Sequence, residues 1–172
     1  AAGRRWHLAF AWLLASGLLL SGVAAAAAPA ATSDRTPPAE LVGDRQVEAG
    51  DLRIGYADLG PKRGEVIILL HGWPYDINSY AEVAPQLAAR GYRVIVPHLR
   101  GYGTTRFLSA DTPRNGQPAA LASDVIALMD ALKIRRATLA GYDWGARSAD
   151  IVAAVWPERV KALVSVSGYL IG

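Results

Sequence analysis

With 172 residues, 52% of them hydrophobic, the chain is long enough for one domain with a sizeable core. The formal net charge is +3, and Lys and Arg are scattered apart from short pairs such as Arg4-Arg5 and Arg135-Arg136, so there is no basic stripe to bind nucleic acid. Cysteine is absent, which excludes disulfides, thiolate chemistry and Cys-based zinc sites and fits either redox compartment.

Arg4, Arg5 and His7 precede an apolar run from Leu8 to Val23, and Ala24 to Ala28 then lead to Pro29. A basic start, an apolar stretch and an Ala-x-Ala site are the parts of a signal peptide. Cleavage is expected near Ala26 or Ala27, with export to the periplasm or the medium. The competing reading of residues 1–28 is an uncleaved membrane anchor, since Leu8–Ala28 has about the ~20 residues that span a bilayer. The alanine-rich end favours the signal peptide. Arg4-Arg5 resembles a twin-arginine signal, but His7 and Leu8 fit its apolar positions poorly, and a lipobox needs the missing Cys. Residues 29–42, with Pro37-Pro38, read as a linker, and residues 43–172 as the globular part.

The globular part alternates strands and helices. Gln46–Ala49 and Leu52–Leu59 read as strands joined at Gly50-Asp51, with Leu52, Ile54 and Tyr56 alternating with Arg53 and Gly55. Val66–Leu70 is a continuous apolar run, as in a strand buried on both faces of a parallel sheet. His71-Gly72-Trp73-Pro74 ends it, and a helix is expected from Asn78 to about Arg90, stopped by Gly91. Val94–Val96 is the next buried strand. The glycine-rich loop Arg100-Gly101-Tyr102-Gly103 follows, with no regular structure expected up to Gly116. Pro118 opens a helix to about Leu132 that carries Leu121, Val125, Leu128, Met129 and Leu132 on one face. Ala137–Ala140 and Val160–Val166 are the remaining strands, with a helix from Ala146 to Trp156 between them. No repeat occurs at solenoid periods. This order predicts an α/β fold, a mostly parallel sheet with helices on both faces. The segments following the strands should gather at one edge, where such sheets bind ligands.

Gly141-Tyr142-Asp143-Trp144-Gly145 lies between a strand and a small-residue helix. A nucleophile on a sharp strand-to-helix turn needs this layout, with Gly141 and Gly145 allowing strand and helix to approach. The usual Ser is replaced by Asp143. A carboxylate is ionised at neutral pH, with an ordinary pKa of about 3.9. It suits displacement at a saturated carbon, giving an ester that water must later cleave.

Together these residues resemble the α/β-hydrolase superfamily, in the branch with an Asp nucleophile, which includes epoxide hydrolases and haloalkane dehalogenases. The resemblance covers about Leu41 to Gly172. It implies that His71-Gly72-Trp73-Pro74 is the oxyanion loop and that the backbone N–H groups of Trp73 and Trp144 are the two donors. It further implies a small-molecule substrate, no metal and no cofactor. Nucleic acid is not an expected partner, and membrane contact would come only through an uncleaved N-terminal segment. His71 should be structural, and His98, where the family usually carries Asp, should anchor a loop. The family's late acid and His, its cap and its last strands lie beyond the sixth-strand region. The expectation is therefore the N-terminal part of such a domain, with C-terminal strands and cap missing. Either a longer enzyme or a truncated, non-catalytic binding remnant would account for that. Val160–Val166 would then be an exposed apolar edge. His-Gly-Trp-Pro with Asp-Trp-Gly-Ala is most similar to epoxide hydrolases. The alternative is a dehalogenase, in which the Trp144 indole would bind the halide. Arg147 resembles an arginine of fluoroacetate-type dehalogenases, where it would bind the substrate carboxylate; otherwise it is a solvated residue of the first helical turn.

Overall fold

The computed structural model describes residues 40–168. The leader and most of the linker lie outside these residues. The linker's last residues are held by the fold: Leu41 is buried, and its N–H donates to Asn78 Oδ1 at 2.8 Å.

Strands β1 (Arg45–Ala49) and β2 (Leu52–Leu59) form a hairpin closed by the pair Ala49 and Leu52. Its two-residue loop needs a positive φ at the first position, and Gly50 supplies it at 57°. β3 (Val66–Leu70), β4 (Arg93–Pro97), β6 (Ala137–Tyr142) and β7 (Val160–Val166) run parallel, in the sheet order β1-β2-β4-β3-β6-β7. β2 joins β4 antiparallel, so the parallel part is extended on one side by the hairpin. The two-residue strand β5 (Arg106–Phe107) pairs with β2 inside the stretch expected to be irregular. It carries no periodic signal, and its pairing with Leu52 and Arg53 alone defines it.

Successive side chains of the central strands leave on opposite faces. Ile68 and Leu70 pack in one cluster with α2 (Pro118–Ala131) and α3 (Trp144–Val155), while Ile67 and Leu69 pack in another with Ile77, Ala81 and Ala84. That two-sided burial explains the unbroken apolar runs. The expected helix from Asn78 to Arg90 is instead a 3₁₀ turn (Ile77–Tyr80) followed by α1 (Val83–Ala89). Pro85 has no N–H for the carbonyl four residues back, so a continuous helix through this point would lose a bond. The 3₁₀ turn is capped by Asp76, whose side chain accepts from Asn78 N at 2.8 Å. α3 begins at Trp144, two residues before the expected start at Ala146.

The chain steps from β3 to β4 on one side, then crosses back to β6 on the other. The segment after β3 leads to α1 on one face, and β6 leads to α3 on the other. Their C-terminal ends therefore diverge, which opens a crevice at this switch point.

β7 pairs only with β6 among the described residues, and Leu163, Val164 and Val166 on it are 39, 53 and 52% exposed. On the α1 side an apolar groove of about 520 Å³ runs along Ile67, Leu69, Thr138, Ala140, Val164 and Val166. Among the described residues β7 is thus an apolar edge of the sheet. Among the described residues, no helix is long and apolar enough to cross a membrane.

Candidate active site

Asp143 occupies the single residue between β6 and α3, with φ 51° and ψ −118°. A residue with a Cβ rarely adopts this conformation, and such strain concentrates at functional sites. Glycines make the turn fit. A Cβ on Gly145 would lie 2.1 Å from the Leu70 carbonyl oxygen, and one on Gly141 would lie 2.6 Å from the Gly145 carbonyl carbon. The Asp143 N–H donates to Val166 O at 3.0 Å, and the Asp143 carbonyl accepts from Arg147 N at 3.0 Å as the helix begins.

The loop after β3 comes to the same point. Trp73 N donates to Asp143 Oδ1 at 3.0 Å. Gly72 allows this approach, because a Cβ there would lie 2.7 Å from both Asp143 Cβ and Tyr142. Pro74 follows a cis peptide bond, and Tyr75 N donates back to Gly72 O at 3.0 Å, closing the turn. The Trp73 side chain itself points into solvent. Trp144 is the first residue of α3, where a helix's leading N–H groups have no acceptor within the helix. The structure thus gathers His71, Gly72, Trp73, Pro74, Gly141, Asp143, Trp144, Gly145 and Arg147 about one turn.

His71 is fully buried and joins the loops after β3 and β4. Its Nε2 accepts from Leu99 N at 3.2 Å, which leaves Nδ1 to donate to Gly72 O at 3.2 Å. Burial pushes its pKa below the ordinary 6.5, so the ring is neutral. Tyr102 packs edge-on to it, with ring centroids 4.9 Å apart. Both nitrogens of His71 are therefore committed to structure. His98 is also buried and held neutral by burial. Its backbone N–H donates to Gly55 O at 2.8 Å, and its carbonyl accepts from Thr105 Oγ1 at 2.7 Å, as suits a loop anchor. The loop after β4 is fixed from the other side by Arg100, bidentate to Asp124 at 2.6 and 2.7 Å.

Sequence reasoning brought Tyr102 and Tyr142 to this edge with their loops but gave no tyrosine a role. Tyr102 lies close enough to Asp143 that, after burial, the Asp143 charge also pushes its hydroxyl pKa up. Tyr142 OH and Ser79 Oγ share a 2.7 Å hydrogen bond, and Tyr80 OH donates to Leu70 O at 2.8 Å. Tyr142 could have been noticed as the neighbour of Asp143, whereas Ser79 and Tyr80 carry no signal, because only the fold brings the 3₁₀ turn here. Among the described residues, no group of three or more His, Asp or Glu side chains could hold a metal ion.

A parallel sheet with a strained carboxylate at its switch point, and a backbone N–H on that carboxylate, defines a class of fold and site. The family model described as alpha/beta hydrolase fold matches residues 65–171, and the chain belongs to that family. It is 35% identical over 121 residues to epoxide hydrolase 3 of Siraitia grosvenorii, covering 70% of this chain and 37% of that protein. It is 37% identical over 120 residues to a fluoroacetate dehalogenase of a Burkholderia species, covering 69% and 38%. Among solved structures, a candidate epoxide hydrolase from Klebsiella pneumoniae is 74% identical with a TM-score of 0.73, covering 74% of this chain and 42% of that one. Potato (Solanum tuberosum) epoxide hydrolase I is 33% identical with a TM-score of 0.68, covering 74% and 40%. The chain thus spans about two fifths of the length of these relatives.

Proposed function

We propose that Asp143 is the nucleophile of an epoxide hydrolase-like reaction and that residues 40–168 carry its attacking half. The observation that carries this reading is the Trp73 N–H on Asp143 Oδ1, on a backbone strained at Asp143 itself. It leaves Oδ2 to attack a ring carbon. The ring C–O bond breaks with its electrons on oxygen, which takes a proton from water, and an ester on Asp143 remains. Water then adds to the ester carbon as a base takes its proton, and charge collects on Oδ1, where Trp73 and Trp144 would supply N–H groups. The adduct collapses by breaking the ester C–O bond, which releases the diol and restores the Asp143 carboxyl group. Losing one such donor costs on the order of 3 kcal/mol in comparable sites. The second step needs a base, since neutral water is a poor nucleophile. Both nitrogens of His71 are committed, and His98 is buried against Gly103 and Gly43, so neither is placed for this task.

Intact-protein mass spectrometry after exposure to an aryl epoxide tests the reading. One epoxide mass should be gained, mapped to Asp143 and absent in Asp143→Asn. A haloalkane adduct without an epoxide adduct would support the dehalogenase reading, which the Burkholderia relative keeps in view. No label on Asp143 from either reagent in folded protein would end the assignment. Multiple turnover by the 172-residue chain would show that a base had been overlooked.

We also propose that residues 1–28 direct export. The support is the basic start, the apolar run and the Ala-x-Ala site. N-terminal sequencing of native protein should find a start between Ala24 and Ala31; an intact leader on cytosolic protein would refute this.

A further inference from the structure

The i,i+4 spacing of Asp143 and Arg147 across the first turn of α3 sets a guanidinium beside the nucleophile. Arg147 Nη2 lies 3.5 Å from Asp143 Oδ2, while Trp73 N holds Oδ1 at 3.0 Å. The Arg147 guanidinium carbon is 4.9 Å from the centroid of the Trp144 ring, so an aromatic face helps to aim the cation. Both charged side chains are partly buried, at 21 and 32% exposed, where salt screens less than at an open surface. In this arrangement the Arg147 charge lies beside the protein's own carboxylate.

We propose that Arg147 is a positioning residue for Asp143 and that the site in consequence takes neutral electrophiles rather than substrates bearing a carboxylate. This rests on Asp143 being the nucleophile. With an N–H on one oxygen and a guanidinium on the other, the carboxylate plane is fixed before substrate arrives. Attack then uses a lone pair of Oδ2 to form the new C–O bond. The epoxide C–O bond breaks with its electron pair on the departing oxygen, and water supplies the proton that neutralises it. Asp143 loses its charge in that step, so the ion pair exists only before the ester forms. A substrate carboxylate would have to compete with Asp143 for Arg147 while being repelled by Asp143 at close range. A neutral epoxide meets neither obstacle.

The test is the kinetics of single labelling of the full 172-residue chain, followed by intact mass, with styrene oxide and with its ring-carboxylated analogue. Arg147→Met should lower the limiting labelling rate by styrene oxide by about tenfold or more, as expected when a reacting group is misplaced. The half-saturating concentration should stay unchanged. Arg147→Lys should restore most of the rate, and a merely structural residue would show no such split or rescue. Circular dichroism establishes that each variant is folded, and Arg147→Gln replaces the Met variant if that one is not. The unsubstituted protein should label faster with the neutral epoxide. A wild-type labelling rate in both the Met and Gln variants overturns the proposal, as does faster labelling by the carboxylated epoxide that is lost on removing Arg147. If the unsubstituted protein itself is not labelled at Asp143, the nucleophile assignment falls and takes this proposal with it. If it is labelled and only the Arg147 variants behave otherwise than stated, this proposal falls alone.

Discussion

Replacing Gly145 with Ala sets two effects of opposite sign against each other at one atom. Gly145 lies in α3, and in an exposed helix Ala is favoured over Gly by about 1 kcal/mol. Here the added Cβ would lie 2.1 Å from Leu70 O, 2.5 Å from Leu70 C and 2.6 Å from His71 O. All three are backbone atoms, so no side chain can turn away, and α3 or the end of β3 must retreat by about an ångström. Overpacking costs about 1–3 kcal/mol, and a clash with fixed backbone lies at the upper end, about 3 kcal/mol. The steric effect therefore wins, leaving a net loss of about 2 kcal/mol and a fall in Tm of about 6–10 °C for a domain of this size. Two other glycines isolate the causes. Gly91 has φ +92° and nothing within 4 Å of an added Cβ, so Ala there meets backbone strain alone, costing about 1 kcal/mol. Gly116 has neither feature, and Ala should leave stability within about 0.5 kcal/mol. Thermal and urea unfolding followed by circular dichroism would rank them Gly145, then Gly91, then Gly116. A Gly145→Ala protein as stable as the parent would refute the view that close contact between the α3 turn and the β3 end fixes this glycine.

Acid should destabilise the fold through its buried histidines. His71 and His98 both have pKa values held below 6.5 by burial, so the unfolded chain binds more protons than the native one as pH falls below that value. Their contribution is complete above pH 6.5 and is lost as pH falls toward the native pKa values; flat urea midpoints from pH 7.5 to 5 would contradict this. Asp58 is almost wholly buried, and Arg93 reaches it with two 3.1 Å hydrogen bonds. Burial pushes the Asp58 carboxyl up, but Arg93 and Lys62 together hold it below its ordinary value. Arg93→Met leaves Asp58 with Lys62 alone and should lower the urea midpoint, by less than the ~3 kcal/mol of a fully stranded buried charge; no change would show that Lys62 suffices. Among the described residues β7 is the sheet edge, so the pair Val164→Lys and Val166→Lys should reduce any self-association seen in sedimentation velocity, and an unchanged distribution would mean that β7 is not where copies meet.

The strands were legible because burial on two faces writes an unbroken apolar run, as in Val66–Leu70 and Val94–Val96. Asp143 was legible for a related reason. A turn this tight admits only small neighbours, so Gly141 and Gly145 had to be written beside it. The role of His71 could be anticipated only in outline, since its acceptor function toward Leu99 joins residues 28 positions apart. Three features needed the tertiary structure. β5 exists because β2 pairs with it, and two residues leave no period to read. Ser79 and Tyr80 stand near the site because Pro85 breaks the expected helix and the preceding turn folds back to Tyr142 and Leu70. Arg147 has the spacing to reach Asp143 in any helix. That it faces Asp143 depends on α3 starting at Trp144, which a sequence alone places only to within a residue or two. Local spacing determined the turn and its carboxylate, whereas the charges and rings around that carboxylate come from distant segments and were decided by how the sheet and its helices pack.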